Sequence, residues 1–306
     1  MRKFIINSGF FLGIILIVWV GIEIFYRTVP NNYSVKNKYI KNAYNDAEVL
    51  IMGNSHAFYG LNPDFFSVKS FNLSNISQTV FYDKLLFDKH VDSFKKLDYL
   101  ILPIEYTTFT HRDDHADLKW RSYFYEAQMG VDTQFISRFN IKRYSLALVP
   151  RFRLTVNSIS KYLSDGTIAD CSTNGFGKYH GVNEVYNSAT AGIAKLKSHE
   201  DGSLNFNRNR KIVKDIIQKC KEKQIKVIII NMPVTSYYAD NVSTVKRKKI
   251  INECKQLCVP GKVFYLNLFQ DGRFNNNDFY DVDHLNVEGA KKCSKIVSDF
   301  IDEKTY

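Results

Sequence analysis

The stretch VLIMGNSHAFYGLNP, Val49 to Pro63, runs an aliphatic segment directly into Gly-Asn-Ser-His. A short apolar run stopped by a glycine reads as a buried strand with a turn at its end. Ser55 then stands where strand gives way to loop. A serine hydroxyl is a weak nucleophile at neutral pH, so a catalytic role for it requires a base and an anion-stabilising pocket from elsewhere in the chain.

Outward from this stretch, further β-branched or aliphatic runs recur between turn residues: SVKSFNLS (67–74), DYLILPI (98–104), IKVIIINMP (225–233) and KVFYLNLF (262–269). Segments with helical periodicity lie between and after them, at 80–96, 209–224, 243–257 and 287–301. Alternation of this kind predicts an α/β fold, a three-layer α/β/α arrangement around a doubly wound, mostly parallel five-stranded sheet of flavodoxin-like type. Its ligand crevice should lie at the carboxyl ends of the strands, where Ser55 sits. The segment 107–206 breaks the rhythm between the third and fourth strands. An insertion there would overhang the crevice and shape a substrate site.

Ahead of the sheet, FIINSGFFLGIILIVWVGIEIFY (Phe4–Tyr26) is long enough to cross a bilayer and carries one charged residue, Glu23. Met1-Arg2-Lys3 precedes it, which favours a cytoplasmic N-terminus and an exported remainder, although Arg27, Lys36, Lys38 and Lys41 weaken the asymmetry. A cleaved signal peptide is the rival reading, but the bulky IFYRTVP supplies no small-x-small site. The expected organisation is a cytoplasmic start and transmembrane anchor over 1–29, a polar tether over 30–46, and the sheet-bearing domain over 47–306, with its insertion at about 107–206, outside the cytoplasm, single-pass on the cell membrane.

The base is sought near the C-terminus. FYDVDHLNVEGA (Phe279–Ala290) carries Asp281 and His284 in a D-x-x-H spacing just before a helix. Three residues of separation in a turn let a carboxylate meet one imidazole nitrogen and leave the other free to take a serine proton. Asp283 is the rival orienter, but a side chain adjacent in the chain tends to point away. A doubly wound chain order carries Ser55 and this motif to the same sheet edge.

Taken together, MGNSH (Met52–His56) and the terminal Asp281/His284 pair resemble the first and last blocks of the SGNH, or GDSL-like, hydrolase superfamily. NLSNISQT (Asn72–Thr79) is similar to its second block, with Ser77 in place of the glycine whose N–H helps bind the oxyanion. The third block, Gly-x-Asn-Asp in the family, is replaced by EYTTF, with Tyr106 and Thr107 near the asparagine slot. The resemblance implies Ser55 as nucleophile, His284 as base and acid, Asp281 as orienter, and Ser77 and Thr107 as oxyanion contacts. It extends to membrane-tethered relatives, the DltD-like and polysaccharide O-acetylation proteins. It thus implies an esterase or acyltransferase acting on O-acyl groups of an envelope polysaccharide, with an acylated glycan as substrate and a membrane acyltransferase as a conceivable partner. The alternative is a non-catalytic envelope protein that binds glycan or such a partner in the same crevice.

Bulk properties narrow the remainder. An apolar content of 45% over 306 residues supports a full-sized core and argues against disorder. The net charge of +11 is not gathered into a basic stripe beyond short runs such as VKRKKI (245–250), so no nucleic-acid partner is expected. Five cysteines lack metal-ligand spacing, and no metal or cofactor is expected. His111, Asp113, Asp114 and His115 read as loop charge. His56 reads as packing beneath the nucleophile loop, and Glu105 as either a substrate contact or an anchor for the insertion.

Overall fold

The structure is a computed structural model that describes residues 1–110, 116–199 and 206–305. The His111–His115 cluster lies outside the described residues. The chain divides into two compact units, one of Met1–Val35 with Asp114–Ala169, the other of Lys36–Asp113 with Asp170–Tyr306.

The second unit is built on five strands, β1 (Val49–Ile51), β2 (Ser70–Asn72), β3 (Tyr99–Pro103), β4 (Lys226–Asn231) and β5 (Val263–Asn267). Their order is β2-β1-β3-β4-β5, and every neighbouring pair is parallel. Register aligns Ile51 with both Asn72 and Ile101, so β1 and β2 end level while β3 runs on to Pro103. The strands are shorter than the apolar runs suggest, because the flanking residues leave the ladder to make the turns that carry side chains into the crevice.

With helices numbered along the chain, the first unit holds α1 (Arg2–Thr28), α5 (Ala116–Met129) and α6 (Phe152–Asp165). The second holds α3 (Ser55–Gly60), α4 (Val80–His90), α7 (Ala189–His199), α8 (Phe206–Glu222), α9 (Ser236–Ala239), α10 (Thr244–Leu257) and α11 (Val287–Thr305). Residues 30–46, read as a tether, carry a further helix, α2 (Asn32–Asn42). Its polar composition hid an inward face: Ile40 is buried, and so is Lys36, whose ammonium is held by the carbonyls of Asn72 and Gly175 at 2.7 and 2.6 Å.

Side chains alternate across a strand, so each sheet face gathers every second residue. Val49, Ile51, Tyr99, Ile101, Ile228 and Ile230 form one face and pack with Cys293, Val297 and Ile301, a four-residue spacing that makes one stripe of α11. Leu50, Leu100, Leu102, Val227 and Ile229 are equally buried on the other face, where α8 meets β4 and pairs with α4. Both faces are covered, which is why these strands read as near-continuous apolar runs.

In the first unit, α1 spans 27 residues, about 40 Å at helical rise. It is long and apolar enough to cross a membrane, and most of its large apolar side chains from Phe4 to Val20 are exposed.

Candidate active site

Two local features aim Ser55. Gly53 ends β1 with φ +113°, and a Cβ there would fall 2.8 Å from Pro103 Cγ, so the sharp exit from the strand needs glycine. Its N–H donates to Asp83 Oδ1 at 2.9 Å. Asn54 then caps α3, its side-chain oxygen accepting from the His56 N–H at 3.0 Å. The cap needs only that oxygen, so asparagine serves there as well as the aspartate more usual in the resembled motif. Ser55 is the first residue of the helix and stays half-buried.

The turn after β5 delivers the partners. His284 Nε2 lies 2.9 Å from Ser55 Oγ, and its Nδ1 lies 3.0 and 2.9 Å from the two carboxylate oxygens of Asp281. Asp281 Oδ1 also accepts the backbone N–H groups of Asp283 and His284, at 3.1 and 2.8 Å. The D-x-x-H turn thus holds its own carboxylate in place before the imidazole adds to it. A proton on Nδ1 facing Asp281 leaves Nε2 as the acceptor for the serine proton, the arrangement a serine nucleophile requires.

Asp283 behaves differently. It is fully buried, 3.4 Å from His284 Nδ1, but its other oxygen lies 3.1 Å from His56 Nε2, and Lys195 Nζ approaches at 3.1 Å. His56 is ion-paired on its far side with Glu105, Nδ1 to Oε2 at 3.2 Å. Burial works against a charged His56 ring, yet the charges of Glu105 and Asp283 outweigh it and push its pKa up to about 10. Burial would likewise raise the Asp283 pKa, but neighbouring His284, His56 and Lys195 hold it well below the usual carboxylate range. A buried relay therefore underlies the Ser55–His284–Asp281 arrangement: Glu105, the His56 imidazolium, Asp283 and the Lys195 ammonium. His56, Asp283 and His284 could together hold a metal ion by proximity alone. Each of their ring nitrogens, however, already faces a carboxylate or Ser55.

The remaining predicted positions are set as follows. Ser77 has φ +55°, the left-handed region a glycine enters freely and a serine enters at a cost of about 1–2 kcal/mol. Thr107 is buried and lines a small cavity with Asn54, Gln78 and Pro103, so the position beside Ser77 and the one replacing the third-block asparagine border the residue preceding Ser55. Glu105 both pairs with His56 and accepts the Met232 N–H at 3.3 Å.

Several contributors lie in the insertion and were not singled out from sequence. Lys195 on α7 reaches Asp283, and His199 one turn on lies 3.9 Å from Asp283 and 2.8 Å from the Tyr238 hydroxyl. Tyr179 is stacked between Tyr59 and Tyr280, with centroids 3.9 and 4.0 Å away, and edges against the His284 ring. A lysine and a histidine four apart in a helix are an ordinary surface pattern, and only their tertiary position gives them a partner.

No protein-family model matches the chain, and no curated protein matches it. Among solved structures, it is similar to a candidate platelet activating factor from Streptococcus pneumonia, at 12% identity and TM-score 0.43 over 96% of this chain and 99% of that one. It is also similar to a candidate acylhydrolase from Bacteroides fragilis NCTC 9343, at 13% and 0.42 over 90% and 96%. A GDSL-like lipase from Bacteroides thetaiotaomicron VPI-5482 matches at 12% and 0.42 over 90% and 97%. At such identities and scores the likenesses speak to no residue of the site.

Proposed function

We propose that the protein is a membrane-anchored serine esterase or O-acyltransferase acting on O-acyl groups, acetyl foremost, of a cell-envelope polysaccharide. The observation that carries this is the Ser55 Oγ to His284 Nε2 distance of 2.9 Å with both Asp281 oxygens on Nδ1. In this reading His284 takes the Ser55 proton as Oγ attacks the acyl carbonyl. The tetrahedral adduct then expels the donor alcohol, which receives the proton back from His284, and leaves acyl-Ser55. Water or a glycan hydroxyl, deprotonated by His284, attacks the acyl-serine in turn, releasing acid or acylated glycan and restoring the Ser55 hydroxyl. Asp281 keeps the tautomer and stabilises the imidazolium. The Ser77 N–H and Thr107 are the assigned oxyanion contacts, and a missing asparagine donor costs about 3 kcal/mol of transition-state stabilisation, on the order of a hundredfold in rate.

The polysaccharide and its location outside the cytoplasm rest on the resemblance to SGNH envelope proteins and on the single N-terminal apolar helix. A fluorophosphonate probe incubated with the full chain in detergent should give one adduct, on the peptide holding Ser55. It should be absent in Ser55→Ala and strongly slowed in His284→Gln. An unlabelled wild-type protein would move the reading to a crevice that binds glycan or an acyltransferase partner without chemistry.

A further inference from the structure

We propose that residues 138–163 form a second membrane-contacting surface, lying on the interface of an anionic bilayer beside the point where α1 leaves it. The segment carries large, mostly exposed apolar side chains: Phe139 is 94% exposed, Phe152 80% and Leu163 78%, with Ile141 and Tyr144 also exposed. A monomeric soluble surface rarely gathers so many in one run. Among them stand Arg138, Lys142, Arg151, Arg153 and Lys161, and no aspartate or glutamate falls between 138 and 163; Arg143 is paired with Glu126 at 3.2 Å. Apolar anchors interleaved with cations alone are the composition of a peripheral membrane surface, where polybasic residues meet anionic headgroups.

The position of the segment names its occupant. Trp19 Nε1 donates to Ser145 Oγ at 3.0 Å, and Glu23 Oε2 accepts from Ser145 Oγ and the Ala147 N–H at 2.8 and 2.9 Å. Arg27 donates to the Tyr144 carbonyl at 3.1 Å, and Tyr26 to Thr155 at 3.1 Å. These are the last turns of the apolar helix, where a tryptophan and a tyrosine belong at the headgroup level. Residues 144–147 are therefore fastened at interface depth. The same contacts satisfy one oxygen of Glu23, the one charged residue of the span, while Arg27 pairs with the other. A cleft of about 560 Å³ lined by Trp120, Pro150, Arg151, Arg153 and Leu154 adjoins the segment and offers two guanidinium groups to a phosphate.

The test uses the full chain reconstituted in phosphatidylcholine vesicles with or without phosphatidylglycerol, each doped with a diazirine phospholipid, and maps cross-linked peptides by mass spectrometry. Labelling of 4–26 serves as the internal reference. With phosphatidylglycerol present, 138–163 should be labelled. That signal should fall at least threefold in phosphatidylcholine alone and in the exposed pair Arg151→Gln/Arg153→Gln, with the reference unchanged. Label confined to 4–26 would overturn the proposal. So would equal labelling in both lipids, which removes the role of the cations, or cross-links from 138–163 to a second copy of the chain in place of lipid.

Discussion

At the scale of single residues, the two aspartates near His284 have separate tasks. Asp281 meets Nδ1 with both oxygens and is itself held by two backbone N–H groups, whereas Asp283 is spent on His56 and Lys195. Asp281→Asn should leave the protein folded and cut turnover of an activated acetyl ester by a factor on the order of ten thousand, as in a well-characterised serine triad. Asp283, from sequence only the rival orienter, takes on a different weight once its burial is known. Removing one partner of a buried ion pair strands the others and costs about 3–5 kcal/mol, so Asp283→Asn should first appear as a lowered unfolding midpoint in denaturant. Linkage gives its pH signature. The His56 pKa is raised, so its contribution is full below the unfolded value of 6.5 and is lost as pH rises through about 10. Asp283 is depressed, so its contribution is present above 3.8 and lost as pH falls. The stability gap between wild type and variant should be widest near pH 4–6.5 and should close toward pH 10. A pH-independent gap would assign Asp283 to packing alone.

At the scale of elements, the β1-to-α3 junction decides where Ser55 points. Gly53 combines positive φ with contact against Pro103, and neither condition admits a side chain. Gly53→Ala should therefore lower the melting temperature by several degrees, corresponding to more than about 1 kcal/mol. It should also slow fluorophosphonate labelling of Ser55 more than the loss of stability accounts for, because the helix that begins at Ser55 is displaced. A variant with unchanged labelling would show that α3 is positioned by its own packing rather than by the turn. α10 shows a use of long cationic side chains at the same scale. Lys246, Arg247 and Lys249 of the VKRKKI run lie over the rings of Tyr106, Phe269 and Phe206 at 4.0, 4.3 and 4.0 Å. They cover aromatic faces as well as facing solvent.

At the scale of the whole molecule, the pH dependence of folding carries the mark of Lys36. Burial pulls its pKa from 10.5 down to about 7, while its ammonium hydrogen-bonds two backbone carbonyls. Between those values the unfolded chain binds a proton that the folded chain does not, so the Lys36 contribution to stability rises with pH across that window, by up to about 1.4 kcal/mol per unit, against an opposite slope from His56. His56 titrates alike in both proteins, so denaturation of the full chain in detergent at pH 7, 8 and 9 should show the Lys36 slope as the difference between wild type and Lys36→Met. The variant should fall furthest behind at pH 9 and come nearest wild type at pH 7. Equal slopes would mean that the buried amine stays charged.

What the sequence determined is whatever depends on period and on local turns. Strand-length apolar runs alternating with helical stripes specify a parallel sheet covered on both faces, and β1 to β5 follow in the predicted chain order. Local turn chemistry placed Ser55 at a strand end and put Asp281 three residues before His284, a spacing that lets carboxylate and imidazole meet without help from the rest of the chain. Tertiary structure alone decided the rest. α2 was read as a tether because its polar residues hide which of them face inward, and a lysine gives no local sign that it will be buried. The Glu105–His56–Asp283–Lys195 relay draws on α3, the segment after β3, the turn before α11 and the insertion helix α7, separated by scores of residues. Such charges find one another only when the sheet brings its strand ends together, and their pKa values exist only once water has been excluded from between them.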